Sequence, residues 1–215
     1  MMIAKGFDVA LPFDTSWYAL FLQWMIQYPD LVHRFLEAKL ERTLQDLGAI
    51  GKVRGVDGVM GGVDWAYSRG PFFSPKHFEE FVVPRLRRLT SCCHDQGMLY
   101  IKHTDGNIGP FLELFVQTGV DGYQAIEPQA GMRIADLKRR YGHLLTLCGN
   151  VDCAKTLVYG TEEEVRKETR AVIDAAASGG GFTLTSSNTI HSGVKPDNYF
   201  AMLDEAKSVA WDPSY

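Results

Sequence analysis

Polar and apolar positions along the chain alternate between two periods. Short runs of apolar, strand-forming residues fall at Ile3–Leu11, Val56–Val63, Met98–His103, Gly122–Glu127, Leu144–Asn150 and Gly181–Ser187. Between them lie stretches with helical spacing. Leu31–Leu47 places Leu31, Val32, Phe35, Leu36, Leu40, Leu44 and Leu47 close to a 3.6-residue repeat. Pro75–Cys93 opens on Ser74-Pro75, a cap followed by proline at the first helical position. Pro110–Gln117 stops at Gly119, and Ile134–Arg140 stops at Gly142. Thr161-Glu162-Glu163-Glu164 reads as a capping box for a helix over Glu162–Ala177, and Lys195–Val209 forms the last helix. Strands alternating with helices through short loops predict parallel β/α units. About six units are visible, whereas a closed (β/α)8 barrel needs eight strands. The pattern therefore fits an open doubly wound sheet, or a TIM-type barrel lacking its first units.

The strand ends carry most of the chemistry. They read Gly61-Gly62-Val63-Asp64-Trp65, His103-Thr104-Asp105-Gly106-Asn107, Gln124-Ala125-Ile126-Glu127-Pro128, Cys148-Gly149-Asn150-Val151-Asp152 and Thr185-Ser186-Ser187-Asn188, with His191 just beyond. In a parallel barrel these ends share one face, where active sites are built. Asp152 reads as the cap of the next helix. His103 and Asp105 are two apart, so they point the same way and suit a shared metal or a carboxylate-oriented imidazole. Glu127, before Pro128, places a carboxylate at the same rim. His33, His77, His94 and His143 fall in helices or turns, with surface roles. Cys92 and Cys93 read as helix packing and Cys148 as strand core, while Cys153 lies near the rim without the local signature of a nucleophile. Gly179-Gly180-Gly181 precedes a strand rather than a helix, which makes it a turn and not a phosphate loop.

Composition narrows the function classes. The 215 residues carry 22 Lys+Arg against 26 Asp+Glu, a net charge of −4, which disfavours a nucleic-acid grip. The basic clusters Arg85-Leu86-Arg87-Arg88 and Lys138-Arg139-Arg140 sit in helical patterns and read as solvated faces. No apolar run reaches membrane-spanning length, and Met1–Lys5 lacks the pattern of a signal peptide. The four cysteines form no C-x-x-C motif, so reduced thiols and a cytoplasmic protein are expected.

Several motifs occur together and in order: Ser74-Pro75-Lys76-His77-Phe78 with Phe81 and Pro84; Ile101–Asn107; Glu127–Met132; Leu137-Lys138; Tyr141-Gly142; Gly149–Asp152; Gly160–Val165; and Ser186–His191 leading to Pro196-Asp197-Asn198-Tyr199. This set resembles the uroporphyrinogen decarboxylase superfamily, which holds tetrapyrrole decarboxylases and cobalamin-linked methyltransferases on a (β/α)8 barrel. The chain resembles the C-terminal two thirds of that barrel and is expected to form a single domain over residues 1–215, incomplete at its N-terminus. The resemblance implies three alternatives. The first is corrinoid-linked methyl transfer, with zinc or another divalent metal on His103, Asp105 and Glu127, and a corrinoid carried by a partner protein. In that branch a His-x-Cys pair and a later Cys bind zinc; here His103 matches, Asp105 stands for the first cysteine, and Ser186 or Ser187 stands near the second. Asp105 or Glu127 would protonate the leaving oxygen or nitrogen. The second is a tetrapyrrole decarboxylase. In both, Asp64, Gln124, Asn150, Ser187, Asn188 and His191 are the expected substrate contacts, and Tyr18 falls near a substrate-facing tyrosine of the decarboxylases. The third is a non-catalytic partial barrel that binds a tetrapyrrole or another subunit. Open sheet edges further predict a homo-oligomer or a second chain that covers them.

Overall fold

A computed structural model describes residues 1–9, 11–12 and 15–209. The chain begins with strand β1 (Ile3–Lys5), helices α1 (Thr15–Gln27) and α2 (Pro29–Ile50), and β2 (Gly58–Gly61). A small hairpin of β3 (Ala66–Tyr67) and β4 (Gly70–Pro71) follows, then α3 (Pro75–His77), a π turn at Phe78–Val82 and α4 (Val83–Asp95). Next come β5 (Leu99–Thr104), a 3-10 turn at Gly109–Phe111, α5 (Leu112–Val116), β6 (Gly122–Ala125), a 3-10 turn at Pro128–Ala130 and α6 (Ile134–Tyr141). The chain continues through β7 (Thr146–Val151), α7 (Thr156–Tyr159), α8 (Glu162–Ala176), β8 (Phe182–Ser186) and α9 (Pro196–Ser208).

All six predicted strands form, five of them shorter than their apolar runs and β5 of equal length shifted by one residue, and they build one parallel sheet in the order β1-β2-β5-β6-β7-β8. β1 and β8 are the two edges, and both border the same hollows. Ile3 and Thr183 face one cleft of about 590 Å³, and Lys5 and Thr185 face a second of about 740 Å³. The sheet is therefore curled like a barrel wall and left open between β1 and β8. This decides between the two architectures in favour of a partial (β/α)8-type barrel.

Period-two alternation sorts the strand residues. Val59, Tyr100, Tyr123 and Leu147 point outward and are fully buried against the helices. Met60, Ile101, His103, Gln124, Cys148, Thr183 and Thr185 point inward and line the clefts. The outer layer packs on an aromatic block in which Phe78 stacks on Phe111 at 4.0 Å and Trp65 meets Phe78 edge-on at 5.2 Å.

Helix boundaries follow the predicted capping chemistry. The Ser74 hydroxyl accepts from His77 N at 3.2 Å, and Thr161 and Glu164 close a capping box around the start of α8. Asp152, expected to cap the next helix, instead closes the turn before it: its Oδ1 accepts from Ala154 N and Lys155 N, both at 2.8 Å, while the N-cap of α7 is Lys155, which makes no side-chain capping bond. Gly179, Gly180 and Gly181 all have positive φ, so the triplet is a turn that side chains would strain.

Three features depart from the sequence reading. Helix α1 was not anticipated, because TSWYALFLQWMIQ is apolar nearly all round and shows no helical stripe. The β3–β4 hairpin has strands of two residues each, too short to leave a pattern. The Arg85–Arg88 cluster is only partly a solvated face. Arg85 is buried and donates to Phe81 O and His33 O, while Arg88 pairs with Glu37 and Glu41 on α2.

Candidate active site

Four elements converge at the C-terminal ends of β2, β5, β6 and β8. The loop after β2 delivers Asp64, and it is tied down on both sides. Trp65 N donates to Thr104 Oγ1 at 2.9 Å, and Asp105 N donates to Asp64 Oδ1 at 2.8 Å. The hairpin braces the loop after β5, where Asn107 N donates to Tyr67 O at 3.0 Å. Gly106, at φ +79°, lies so close that a Cβ there would come within 2.6 Å of the Ala66 backbone.

Beneath this frame is an anchor that sequence reasoning missed. Lys102 points outward from β5 and is fully buried. Its Nζ reaches Asp8 Oδ2 at 2.8 Å, Val63 O at 2.6 Å and His103 O at 2.7 Å, and it sits 4.2 Å over the Trp65 ring. Burial lowers the Lys102 pKa, and Asp8 opposes that shift. Asp8 Oδ2 also accepts from Val63 N at 2.7 Å, so one ion pair joins the segment after β1, the Asp64 loop and β5. A lysine in an apolar strand between Ile101 and His103 was the available signal, since a buried cation demands a partner.

At the centre are Asp64, His103 and Asp105. One donor atom from each lies within 4.8 Å of the others. His103 Nε2 stands 3.5 Å from Asp64 Oδ1 and 3.7 Å from Asp105 Oδ1, and its Nδ1 hydrogen-bonds Gln124 Oε1. Asp105 Oδ2 accepts from Asn188 Nδ2, while its Oδ1 is buried with no hydrogen-bond partner among the described residues. Burial raises the Asp105 pKa, as do Asp64 and Glu127, against the lowering effects of His103 and Asn188. The Tyr18 hydroxyl is likewise buried with no hydrogen-bond partner among the described residues, and its pKa is raised by burial and by Asp64.

The structure brings together some expected residues and separates others. His103 and Asp105 share the cluster, but its third member is Asp64, not Glu127. Glu127 instead turns its Oε2 to Gly106 N at 3.0 Å and lines a neighbouring cavity of about 300 Å³ with Gln129, Cys153 and His191. The reason is local backbone: Ala125 and Ile126 have φ of +103° and +51°, which breaks the strand alternation before Glu127. Asn150, expected at the rim, is buried and donates to Ile126 O at 3.0 Å, supporting that unusual segment rather than facing the cleft. The Ser187 hydroxyl accepts from Cys153 N at 3.2 Å. Both His191 ring nitrogens are engaged, Nε2 with Cys153 O at 3.2 Å and Nδ1 with Gly193 N at 3.1 Å. Gln124 and Asn188 do reach the cluster, on His103 and Asp105.

A parallel barrel wall with its polar groups gathered at the strand C-termini defines the class of (β/α)8-type proteins whose sites are built on that rim. Sequence comparison gives the family. Residues 14–209 match the model described as "Uroporphyrinogen decarboxylase (URO-D)", and the chain belongs to that family. Among curated relatives, uroporphyrinogen decarboxylase from Cupriavidus necator is 30% identical over 184 residues, covering 82% of this chain and 48% of the relative. The enzyme of that name from Thioalkalivibrio sulfidiphilus is 27% identical over 139 residues, covering 63% of this chain and 38% of the relative. The chain thus spans half or less of the length of these relatives. A solved methyltransferase from Methanosarcina mazei superposes with a TM-score of 0.73 at 22% identity, covering 87% of this chain and 52% of that one, a likeness of fold. No helix among the described residues is long and apolar enough to cross a membrane.

Proposed function

We propose that the chain carries the cation-binding rim of a metal-assisted methyltransferase, one that demethylates a small molecule methylated on oxygen or nitrogen and uses a corrinoid protein as methyl acceptor. The observation that carries this reading is the cluster of Asp64, His103 and Asp105. Ligands at 2.0–2.2 Å in tetrahedral array stand about 3.4 Å apart. The separations of 3.5 and 3.7 Å from His103 Nε2 approach that spacing and are too long for good hydrogen bonds. Asp105 Oδ1, buried with no hydrogen-bond partner among the described residues, marks the same centre. Two carboxylates and one imidazole suit zinc or a harder divalent ion such as manganese, with a coordination position left for substrate. A divalent ion held by these residues supplies Lewis acidity to the methylated heteroatom.

The chain's own groups do the rest. Asp64 and Asp105 balance the cation's charge, and His103 is held by its bond to Gln124. As the methyl group departs, the leaving oxygen or nitrogen needs a proton. Glu127, outside the cluster with one oxygen on Gly106 N, lines the cavity that adjoins the upper cleft at Asn188 and Thr189, and would give that proton from its other oxygen. The open upper cleft, about 740 Å³, accommodates a small molecule beside His103 and Gln124.

The names of the curated relatives favour a second reading, decarboxylation of a tetrapyrrole. Its polycarboxylate substrate calls for several cations, whereas Lys5 is the one lysine or arginine among the described residues lining the upper cleft.

Elemental analysis of the purified protein, loaded with zinc or manganese and then desalted, tests the proposal. About one ion per chain is expected, lost in both His103→Ala and Asp64→Ala while circular dichroism stays unchanged. A wild-type protein that retains no ion overturns it.

A further inference from the structure

Gln124 and Asn188 were expected to touch substrate. We infer that they are instead positioning residues, two amides that fix which atoms of His103 and Asp105 face the cation; this rests on the reading of the cluster as a cation site.

Backbone register sets the first contact. His103 on β5 pairs directly with Gln124 on β6, so their side chains stand abreast on the inner face of the sheet. Gln124 Oε1 meets His103 Nδ1. A carbonyl oxygen can only accept, so it holds the proton on Nδ1 and leaves Nε2 with a free lone pair. Nε2 is the atom turned toward Asp64 and Asp105. Without an acceptor at Nδ1, the neutral ring would place its proton on Nε2, drawn by the two carboxylates, and the lone pair needed for a cation would point away.

The second contact crosses the mouth of the barrel, because β8 and β5 are not neighbours in the sheet. Asn188 is itself held in place. Its Oδ1 accepts from Thr189 N at 2.6 Å, and its carbonyl accepts from Ser186 Oγ at 2.7 Å. With Oδ1 occupied, the amide nitrogen has to face Asp105, where it binds Oδ2. That leaves the Oδ1 of Asp105 as the oxygen without a hydrogen bond, and it is the atom buried within the cluster with no hydrogen-bond partner among the described residues. Each amide therefore takes one atom of a ligand side chain and aims the other at a common centre. Partners of this kind typically change metal affinity 10- to 100-fold when removed.

The test is cobalt(II) binding by titration calorimetry, with the visible d–d spectrum as a second readout, on wild type, Gln124→Leu, Gln124→Glu and Asn188→Leu. Gln124→Leu and Asn188→Leu are expected to weaken cobalt binding by about 10- to 100-fold and to shift the d–d bands. Gln124→Glu keeps an acceptor at His103 Nδ1 and is expected to retain wild-type affinity. Unaltered cobalt affinity in Gln124→Leu, or equal losses in Gln124→Leu and Gln124→Glu, overturns the inference. Should Gln124→Leu fail to fold, the comparison of Gln124→Met with Gln124→Glu decides in the same way. Failure of the wild type itself to bind cobalt overturns the cation reading, a result distinct from any difference among the variants.

Discussion

Asp8→Asn is the substitution whose cost follows most directly from the structure. The Lys102 side chain is 0% exposed and that of Asp8 7%. The three ammonium protons have three acceptors, of which Asp8 alone is charged. Replacing it with a neutral amide of the same shape keeps the packing and removes the counter-charge. Breaking a buried pair in this way costs about 3–5 kcal/mol. An independent bound comes from letting Lys102 lose its proton. Holding a lysine neutral at pH 7 costs about 1.4 kcal/mol per pH unit below its ordinary value near 10.4, roughly 5 kcal/mol in all. The two figures agree. At roughly 2–4 °C per kcal/mol for a chain of this size, the melting temperature should fall by about 6–20 °C.

The pH dependence has a definite sign. Burial lowers the folded-state pKa of Lys102, and removing Asp8 lowers it further. Between that value and the unfolded value, the unfolded chain binds more protons, so the stability of Asp8→Asn rises with pH. Urea denaturation at pH 7 and pH 9 should show the variant recovering by up to about 1.4 kcal/mol per pH unit. Adding Lys102→Met should restore most of the loss, because no buried cation remains. A loss below about 1 kcal/mol, or one that does not change with pH, would refute the reasoning.

Asn150→Ala tests whether Asn150 supports backbone or meets a ligand. Leaving Ile126 O without its donor should cost about 1–3 kcal/mol by urea midpoint with ion content unchanged; loss of the ion at unchanged stability would return Asn150 to the site. The outer edges of β1 and β8, unpaired among the described residues, predict more than one chain per particle by light scattering. A stable monomer whose Ile3–Lys5 and Phe182–Ser186 amides exchange as slowly as those of β6 would show that the edges are covered within one chain.

The parallel sheet was legible because its strands are apolar runs bounded by glycine and polar residues, and a pattern that long survives errors of a few residues at each end. Ser74-Pro75 and Thr161–Glu164 marked their helices because caps are local chemistry. His103 and Asp105 were legible as a pair for the same reason: two residues apart on a strand end, they must face one way. Asp64 reads from the sequence as a substrate contact at a strand end and not as their partner, since its place in the cluster depends on the Asp105 N–H contact and on Trp65 folding back onto Thr104, neither of which leaves a spacing in the sequence.

Glu127 and Asn150 show the limit most clearly. The rule that strand ends face the rim carries a residue outward only while the backbone keeps its alternation. Two consecutive non-glycine residues of positive φ, Ala125 and Ile126, interrupt it just before Glu127. Such a conformation persists only where its surroundings impose it. Here the Asn150 amide holds Ile126 O, and the chain passes so close to β7 that a Cβ on Gly149 would lie 2.9 Å from Ala125 O. Asn150 is therefore spent on the geometry that keeps Glu127 out of the cation cluster. On the proposed function, that separation is what the chemistry requires, since a carboxylate bound to a cation cannot also hold the proton that the leaving group takes up.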